Sequence, residues 1–560
     1  MRAASLVSAA SSVLGVQALN CSTAALQGAL PSNATVLSAV PVAGNGTYGQ
    51  GAADLPYPTN PTNLPALCAV YVNVTSSSSS SFRFGLFLPT EWNDRFLAVG
   101  NGGFAGGVNW LDMVRSSHLF FLNHAADLPL KGAGVGYGFA VVSTDTGHNS
   151  TSGDLAWGAN APEVLNDWGY RAIHGSVELG KTLVSAYYGS QIKYSYYSGC
   201  STGGRQGLRN LQLYPDDFDG VLAGAPAWWT THLQTWTAKL GTYNLPLNSS
   251  HRIPPSLFPA IGAEVIKQCD AQDGLVDNIV SDPHGCNFNP DALLCTPTSN
   301  TSACLTPSQL DTLSKVYAPY IDTNATFVFP GLALGSEAQW TVLLGTATGA
   351  PLSYGTDYIR YFLDQPSFRW QDFTYDVVAL ADALDPGNAT ADAFAAMASY
   401  RARGGKLLHY HGWADGLIAT GSSLHFYSEV ARALLPAGGV PLDDWYRFFL
   451  VPGMNHCAGT PAGVDAPWYF AGANQAADLG TGVHGVPGFE DGKHDALLAL
   501  MDWVENGTVV DEIVATKFVD EDVGSGVQRQ RPLCMYPKQA VYKGEGDVDA
   551  AESWECKSLY

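Results

Sequence analysis

Four apolar runs in this chain each break off into a loop that carries glycines or a reactive side chain, a pattern that few architectures accommodate. Residues 95–99 run into Gly100-Asn101-Gly102-Gly103, and residues 192–197 into Gly199-Cys200-Ser201-Thr202-Gly203. Residues 406–410 run into His411-Gly412-Trp413-Ala414-Asp415, and residues 446–451 into Pro452-Gly453-Met454-Asn455-His456. Helical spacing separates such runs: residues 162–188 place Leu165, Trp168, Ile173, Val177, Leu183 and Val184 at helical intervals, and residues 205–211 follow the same period. Strands that alternate with helices pack as a parallel sheet covered by helices, so the expected class is α/β. Residues 82–88 and 95–99 read as two strands joined by a turn at 89–94, with a further strand at 138–143.

From about residue 226 to 401 the pattern changes to irregular stretches rich in Pro, Asn and Trp that hold four of the ten cysteines. This reads as an inserted lid domain, which leaves 19–225 and 402–560 as the catalytic domain. Residues 76–81 read as a short flexible serine-rich turn, and no internal repeat is apparent.

Residues 199–203 fit G-x-S-x-G, in which small flanking residues permit the strained strand-to-helix turn that exposes a nucleophilic serine. With 60 glycines in 560 residues, such a glycine spacing arises by chance about six times, so the flanking strand and helix must carry the reading against a plain glycine-rich turn. In α/β-hydrolases the serine is followed in chain order by an acid and then a histidine. Asp415 and His456 satisfy that order. His456 is expected to take the Ser201 proton as general base, while Asp415 fixes the imidazole tautomer and stabilises its positive charge. His148, His284, His409, His411 and His494 compete for the role, His411 most closely. The oxyanion would be met by the backbone amide of Thr202 and one from Gly102 or Gly103.

The first residues carry the parts of a secretory signal: Arg2, an apolar stretch at 6–16, and Val16-Gln17-Ala18 with cleavage expected near Ala18. The alternative is a buried N-terminal helix. Glycosylation sequons fall at Asn20, Asn33, Asn45, Asn73, Asn149, Asn248, Asn300, Asn324, Asn388 and Asn506. Ten cysteines in an exported chain read as disulfides. Sequence neighbours suggest Cys21 to Cys68, Cys269 to Cys286, Cys295 to Cys304 and Cys534 to Cys556. Cys200 and Cys457 remain, one beside Ser201 and the other beside His456. If serine and histidine lie within hydrogen-bond reach, their neighbours can fall within the roughly 4.4–6.8 Å Cα separation of a disulfide. The rival reading, Cys200 as nucleophile, sits poorly with an oxidising compartment.

Composition narrows the partners. The chain is 46% hydrophobic, as a folded globular protein is, and carries 28 basic against 50 acidic residues for a formal charge of −22. Such a surface repels phosphate backbones, so nucleic acid and anionic membrane are excluded as partners. No later stretch reaches the roughly 18 apolar residues of a membrane span, and the polar C-terminal residues argue against a GPI tail. A soluble extracellular protein is expected.

Taken together, Gly-Cys-Ser-Thr-Gly-Gly-Arg-Gln-Gly at 199–207, His-Gly-Trp-Ala-Asp at 411–415 and Gly-Met-Asn-His-Cys at 453–457 resemble the fungal tannase and feruloyl esterase family. The resemblance extends over the mature chain, including 100–103 and 502–507. It implies an α/β-hydrolase core with a lid inserted after the nucleophile strand, the triad Ser201, Asp415 and His456, and a Cys200 to Cys457 disulfide. It further implies hydrolysis of phenolic acid esters with no organic cofactor. The family resemblance also implies calcium in the lid, where Asp270, Asp273 and Asp277 offer hard oxygen ligands completed by the carbonyls of Leu275 and Ile279. The spacing is not that of an EF-hand, and on spacing alone an acidic capped turn competes.

Thr202 after the serine looks more like the feruloyl esterases than the tannases. The expected substrate is therefore a feruloyl or other hydroxycinnamoyl ester on plant cell-wall polysaccharide. A galloyl ester is the alternative, and a catalytically silent carbohydrate-binding glycoprotein the remote one. Trp228, Trp229, Trp236, Tyr354 and Tyr358 are candidates to stack on the phenolic ring.

Overall fold

The structure, a computed structural model, describes residues 19–113, 134–297, 303–345, 347–435, 442–472, 475, 479 and 485–558. The leader expected at 1–18 and the sequon at Asn300 lie outside the described residues.

Three antiparallel strands, β1 (Ala34–Val42), β2 (Leu67–Thr75) and β3 (Ser81–Pro89), form one edge of a large mixed sheet. β4 (Arg95–Val99), β5 (Ala140–Thr144), β6 (Tyr194–Cys200) and β7 (Gly220–Gly224) make its middle. A separate small hairpin, β8 (Tyr320–Ile321) and β9 (Phe327–Phe329), precedes the last two strands of the sheet, β10 (Lys406–Gly412) and β11 (Tyr446–Val451). The order is β1-β2-β3-β5-β4-β6-β7-β10-β11, and every pairing from β5 to β11 is parallel. The strands expected at 82–88 and 95–99 both form, yet the turn between them does not pair them. β5, buried along its whole length, lies between β3 and β4 and pairs with both.

Why these strands read as continuous apolar runs is visible in their neighbours. Phe96, Val142, Tyr197, Val221, Leu407 and Phe448 belong to the core on one face. The adjacent Leu97, Val141, Tyr196, Leu222, Leu408 and Phe449 belong to the core on the other. Successive strand side chains point to opposite faces, so a sheet covered on both sides must be apolar at every position.

The helical pattern at 162–188 is not one helix. A short helix, Pro162–Asn166, passes through a π-helical turn at Asp167–Arg171 into the long helix Ala172–Tyr188. Buried Asp167 explains the turn's company: its carboxylate accepts from Arg171 Nε at 2.6 Å and from Ser76 Oγ at 2.8 Å, and Ser80 Oγ bonds the same oxygen. The serine-rich turn is thereby pinned by hydrogen bonds rather than free.

Between β7 and β10 no described residue joins the main sheet. This segment packs its own core from Leu233, Trp236, Phe258, Ile261, Leu313 and Trp340, and that core also takes in Ile418 and Ala419 from just beyond β10. The inserted segment is thus packed against the loop that follows Asp415. At the C-terminal end, helix Ala496–Asn506 covers the sheet, and β12 (Glu512–Phe518), β13 (Val527–Cys534), β14 (Lys538–Tyr542) and β15 (Trp554–Ser558) form two antiparallel pairs. All ten cysteines are paired as Cys21–Cys68, Cys200–Cys457, Cys269–Cys286, Cys295–Cys304 and Cys534–Cys556.

Candidate active site

Ser201 sits between β6 and the helix Thr202–Leu213 with φ 63° and ψ −123°. A non-glycine residue in that region is strained, and such strain survives only where the surroundings over-determine it. Here they do: the Ser201 amide donates to the Gly224 carbonyl at 3.0 Å, and the Ser201 carbonyl accepts from Ala227 and Arg205, each at 3.0 Å. The flanking glycines follow from crowding. A Cβ on Gly199 would lie 2.7 Å from the Gly203 carbonyl carbon, and one on Gly204 would lie 2.5 Å from the Gly224 oxygen.

The ends of β10 and β11 bring in Asp415 and His456. Fully buried Asp415 is saturated by four donors. Its Oδ1 accepts the amides of Leu417 at 2.8 Å and Ile418 at 2.9 Å. Its Oδ2 accepts from His456 Nδ1 at 2.7 Å and His411 Nε2 at 2.9 Å. Burial alone would raise this carboxyl, yet the charge of His456 and the hydrogen bonds from His411 and His456 hold it well below the usual carboxylate range. An ionised carboxylate only accepts, so His456 donates from Nδ1, and Nε2 is the ring nitrogen not engaged by the acid. Ser201 and His456 line one cavity of about 340 Å³ together with Gly103 and Thr202.

His411, the closest rival, is wholly buried and meets the same carboxylate oxygen as His456. It does not line the cavity. Its Nδ1 meets Ser423 Oγ at 2.7 Å, the same hydroxyl meets His409 Nε2 at 2.9 Å, and His409 Nδ1 meets the Tyr446 hydroxyl at 2.8 Å. Burial and the neighbouring His411 hold His409 well below the usual imidazole range. The Gly102 amide donates to the Tyr57 hydroxyl at 3.2 Å, which leaves Gly103, at φ +55°, as the loop glycine beside Ser201 and Thr202. Cys200 and Cys457 are joined at a Cα separation of 6.0 Å and tie the serine and histidine loops together.

One residue that sequence reading missed is Gln339, from the inserted segment. Its Oε1 accepts both the Gly416 amide and the backbone amide of His456, each at 3.0 Å, so a single side chain spans the acid and histidine loops. Nothing in its local sequence marks it.

The aromatic candidates divide. Tyr354 lines the cavity. Trp228 does not: it is 1% exposed, and its indole N–H donates to the Ser422 carbonyl at 3.0 Å. Trp229 stacks on His232 at 3.8 Å and packs against Trp228 and His425, Trp236 is buried in the core of the inserted segment, and Tyr358 is buried in a core that the segment shares with Phe104, Leu165 and Trp168. These four are packing residues, because their ring faces are already covered by protein.

In the acidic turn, Asp270 Oδ1 accepts the amides of Asp277 at 3.1 Å and Ile279 at 3.2 Å, and Asp273 accepts the Leu275 amide and the Ser281 hydroxyl. Asp277 Oδ2 pairs with Arg531, while its buried Oδ1 has no partner among the described residues. Burial, Ser281 and Leu275 notwithstanding, and the charge of Asp277 raise the Asp273 carboxyl. Among the described residues no three His, Cys, Asp or Glu side chains gather closely enough to hold a metal by themselves. The donor chemistry nevertheless fits calcium, since an orphaned carboxylate oxygen and two crowded carboxylates stand on one turn whose backbone carbonyls are hard donors.

A mixed sheet with a serine elbow after β6, followed by an acid past the end of β10 and a histidine past the end of β11, defines an α/β-hydrolase. The family model for tannase and feruloyl esterase matches residues 68–349 and 353–557. A protein of Aspergillus flavus described as "Probable feruloyl esterase B-1" is 34% identical over 528 residues, covering 91% of each chain. The crystal structure of feruloyl esterase B from Aspergillus oryzae superposes with a TM-score of 0.82 at 32% identity, covering 95% of this chain and 100% of that one. Tannin acyl hydrolase from Aspergillus niger shares the fold at a TM-score of 0.70 and 22% identity, with 96% of each chain covered. The chain belongs to the tannase and feruloyl esterase family, and so to the carboxylic ester hydrolases.

Proposed function

We propose that this chain hydrolyses feruloyl and related hydroxycinnamoyl esters through an acyl-enzyme on Ser201. The observation that carries the reading is that Ser201 and His456 line one cavity while His456 is anchored through Nδ1 by buried Asp415. His456 Nε2 takes the Ser201 proton as Oγ attacks the ester carbonyl, and the amides of Thr202 and Gly103 meet the oxyanion. The imidazolium then gives its proton to the departing alkoxide. Water, activated by the same histidine, releases the acid and restores Ser201.

The walls favour an aromatic acyl group. Phe104, Leu233, Leu343, Leu352 and Ile418 make most of the lining apolar, as small-molecule sites usually are. Relatives at 34% identity are described as feruloyl esterases, whereas the tannin acyl hydrolase is more distant, which favours feruloyl over galloyl esters. In this reading residues 226–401 act as the lid, and the ester is carried on plant polysaccharide outside the cell. Of the nine described sequon asparagines, eight are exposed and Asn73 is half-buried, which suits a secreted glycoprotein. Among the described residues no helix is long and apolar enough to cross a membrane. Asp270, Asp273 and Asp277, with the carbonyls of Leu275 and Ile279, would hold a calcium ion that stabilises the turn beside the Cys269–Cys286 bond. That ion takes no part in the reaction.

The test is kcat/KM for methyl ferulate and methyl gallate side by side, with Ser201→Ala as blank. A preference for ferulate is expected. A preference for gallate would make the enzyme a tannase.

A further inference from the structure

Among the described residues lining the cavity that holds Ser201, one carries a buried polar atom that no hydrogen bond of the fold uses. Gln234, on the helix Thr230–Tyr243, is 6% exposed and lines the cavity with Leu233 and Thr237. Its Oε1 is buried and has no hydrogen-bond partner among the described residues. No other described residue lining this cavity carries such an atom. Leaving a buried amide oxygen unpaired is costly, so its retention in an otherwise apolar wall points to a partner that arrives with the ligand.

Two of the other polar groups of the wall are already bonded within the protein. The Thr237 hydroxyl donates to the Leu233 carbonyl at 2.8 Å, and Ser353 Oγ donates to the Gly153 carbonyl at 3.3 Å. The Tyr354 hydroxyl lies at the reacting end, within 2.7 Å of where a Cβ on Gly103 would stand. Gln234 is the carboxamide of this wall, able to accept from one ring substituent and donate to another. A 4-hydroxy-3-methoxyphenyl ring presents that pair, a phenolic donor beside an ether acceptor.

We propose that the Gln234 carboxamide recognises the phenolic hydroxyl of the acyl group, an assignment that rests on the esterase reading above. Gln234 is then a specificity-determining residue: it distinguishes hydroxylated cinnamoyl esters from those lacking the hydroxyl. A site built to hydrogen-bond a substrate hydroxyl discriminates against the analogue that leaves its polar group unpaired.

The experiment compares kcat/KM for methyl ferulate, methyl p-coumarate and methyl cinnamate in the native enzyme, Gln234→Leu and Gln234→Met. The expected result is a fall of about tenfold in the ferulate-to-cinnamate and p-coumarate-to-cinnamate ratios in either folded variant. Ratios within threefold of native overturn the proposal. Should neither variant fold, the native enzyme alone decides, on methyl ferulate against methyl 3,4-dimethoxycinnamate. Capping the hydroxyl should then cost about tenfold, and equal turnover of the two esters overturns the assignment. Native enzyme that reacts with a fluorophosphonate yet cleaves no hydroxycinnamoyl ester would sink the esterase reading and this inference with it. Ferulate cleavage with unchanged ratios would sink the inference alone.

Discussion

His411 and His456 share a single oxygen atom: Oδ2 of Asp415 accepts from His411 Nε2 at 2.9 Å and from His456 Nδ1 at 2.7 Å. His411 Nε2 also faces the Ile418 carbonyl at 3.1 Å, so both of its neighbours are acceptors and the hydrogen belongs on Nε2. Its Nδ1 then accepts from Ser423, whose oxygen accepts from His409, whose Nδ1 accepts from Tyr446. Every hydrogen in this buried row is assigned by the charge on Asp415.

His411 therefore acts as a positioning residue. Replacing it with Leu should lower kcat about 10- to 100-fold and alter KM less than threefold, while Gln, which keeps a donor, should recover most of the loss. An unchanged kcat in His411→Leu, or no recovery with Gln, would show that His411 only fills space. Stability should change too. A carboxyl depressed in the folded state contributes stability that is complete above its unfolded value near about 3.9 and is lost as pH falls below it. His411→Leu should accordingly unfold at a higher pH on acid titration.

Gln339 offers one oxygen to two backbone amides of the catalytic loops, so Gln339→Leu leaves both without an acceptor. The expected loss is about 1–3 kcal/mol in transition-state stabilisation, read as kcat/KM with native-like circular dichroism. Gln339→Glu keeps the acceptor and should retain more activity than the Leu variant. Equal activity in the two variants would remove Gln339 from the account.

The Cys200–Cys457 bond closes a sequence separation of 257 residues. Replacing both cysteines with Ala should cost about 2–4 kcal/mol of stability on thermal or denaturant unfolding. Turnover should fall about tenfold or more even well below the unfolding temperature, because the serine and histidine loops lose their tie. Near-native turnover in the folded variant would confine the bond to a structural role.

Calcium removal should act on stability alone. Chelation is expected to lower Tm by several degrees, with recovery on adding Ca²⁺ but not Mg²⁺, since a site of carboxylates and carbonyls at this turn suits the larger ion. Metal analysis that finds no calcium, together with an unchanged Tm, would dismiss the site.

Much of the site was legible because its chemistry sits where apolar strands stop. β4, β6, β10 and β11 are buried along nearly their whole length, so each reads as an unbroken run, and Ser201, Asp415 and His456 lie just past the ends of three of them. The Cys200 and Cys457 pair was legible because one cysteine adjoins Ser201 and the other His456. Other features left no local trace. β1 is an edge strand with Pro41 and a broken burial pattern, and edge strands tolerate both. Gln339 and Gln234 matter only through residues distant in sequence. Trp228 and Trp229 were misread because tryptophan suits a ring pocket and a core equally, and only packing separates the two.

The central claim is that Ser201 is the nucleophile served by His456. Its most direct measurement is mass spectrometry of digested protein after reaction with a fluorophosphonate. The account predicts a single adduct on the peptide containing Ser201, absent in Ser201→Ala and strongly slowed in His456→Ala. An adduct on another residue, or undiminished labelling of Ser201→Ala, would contradict it.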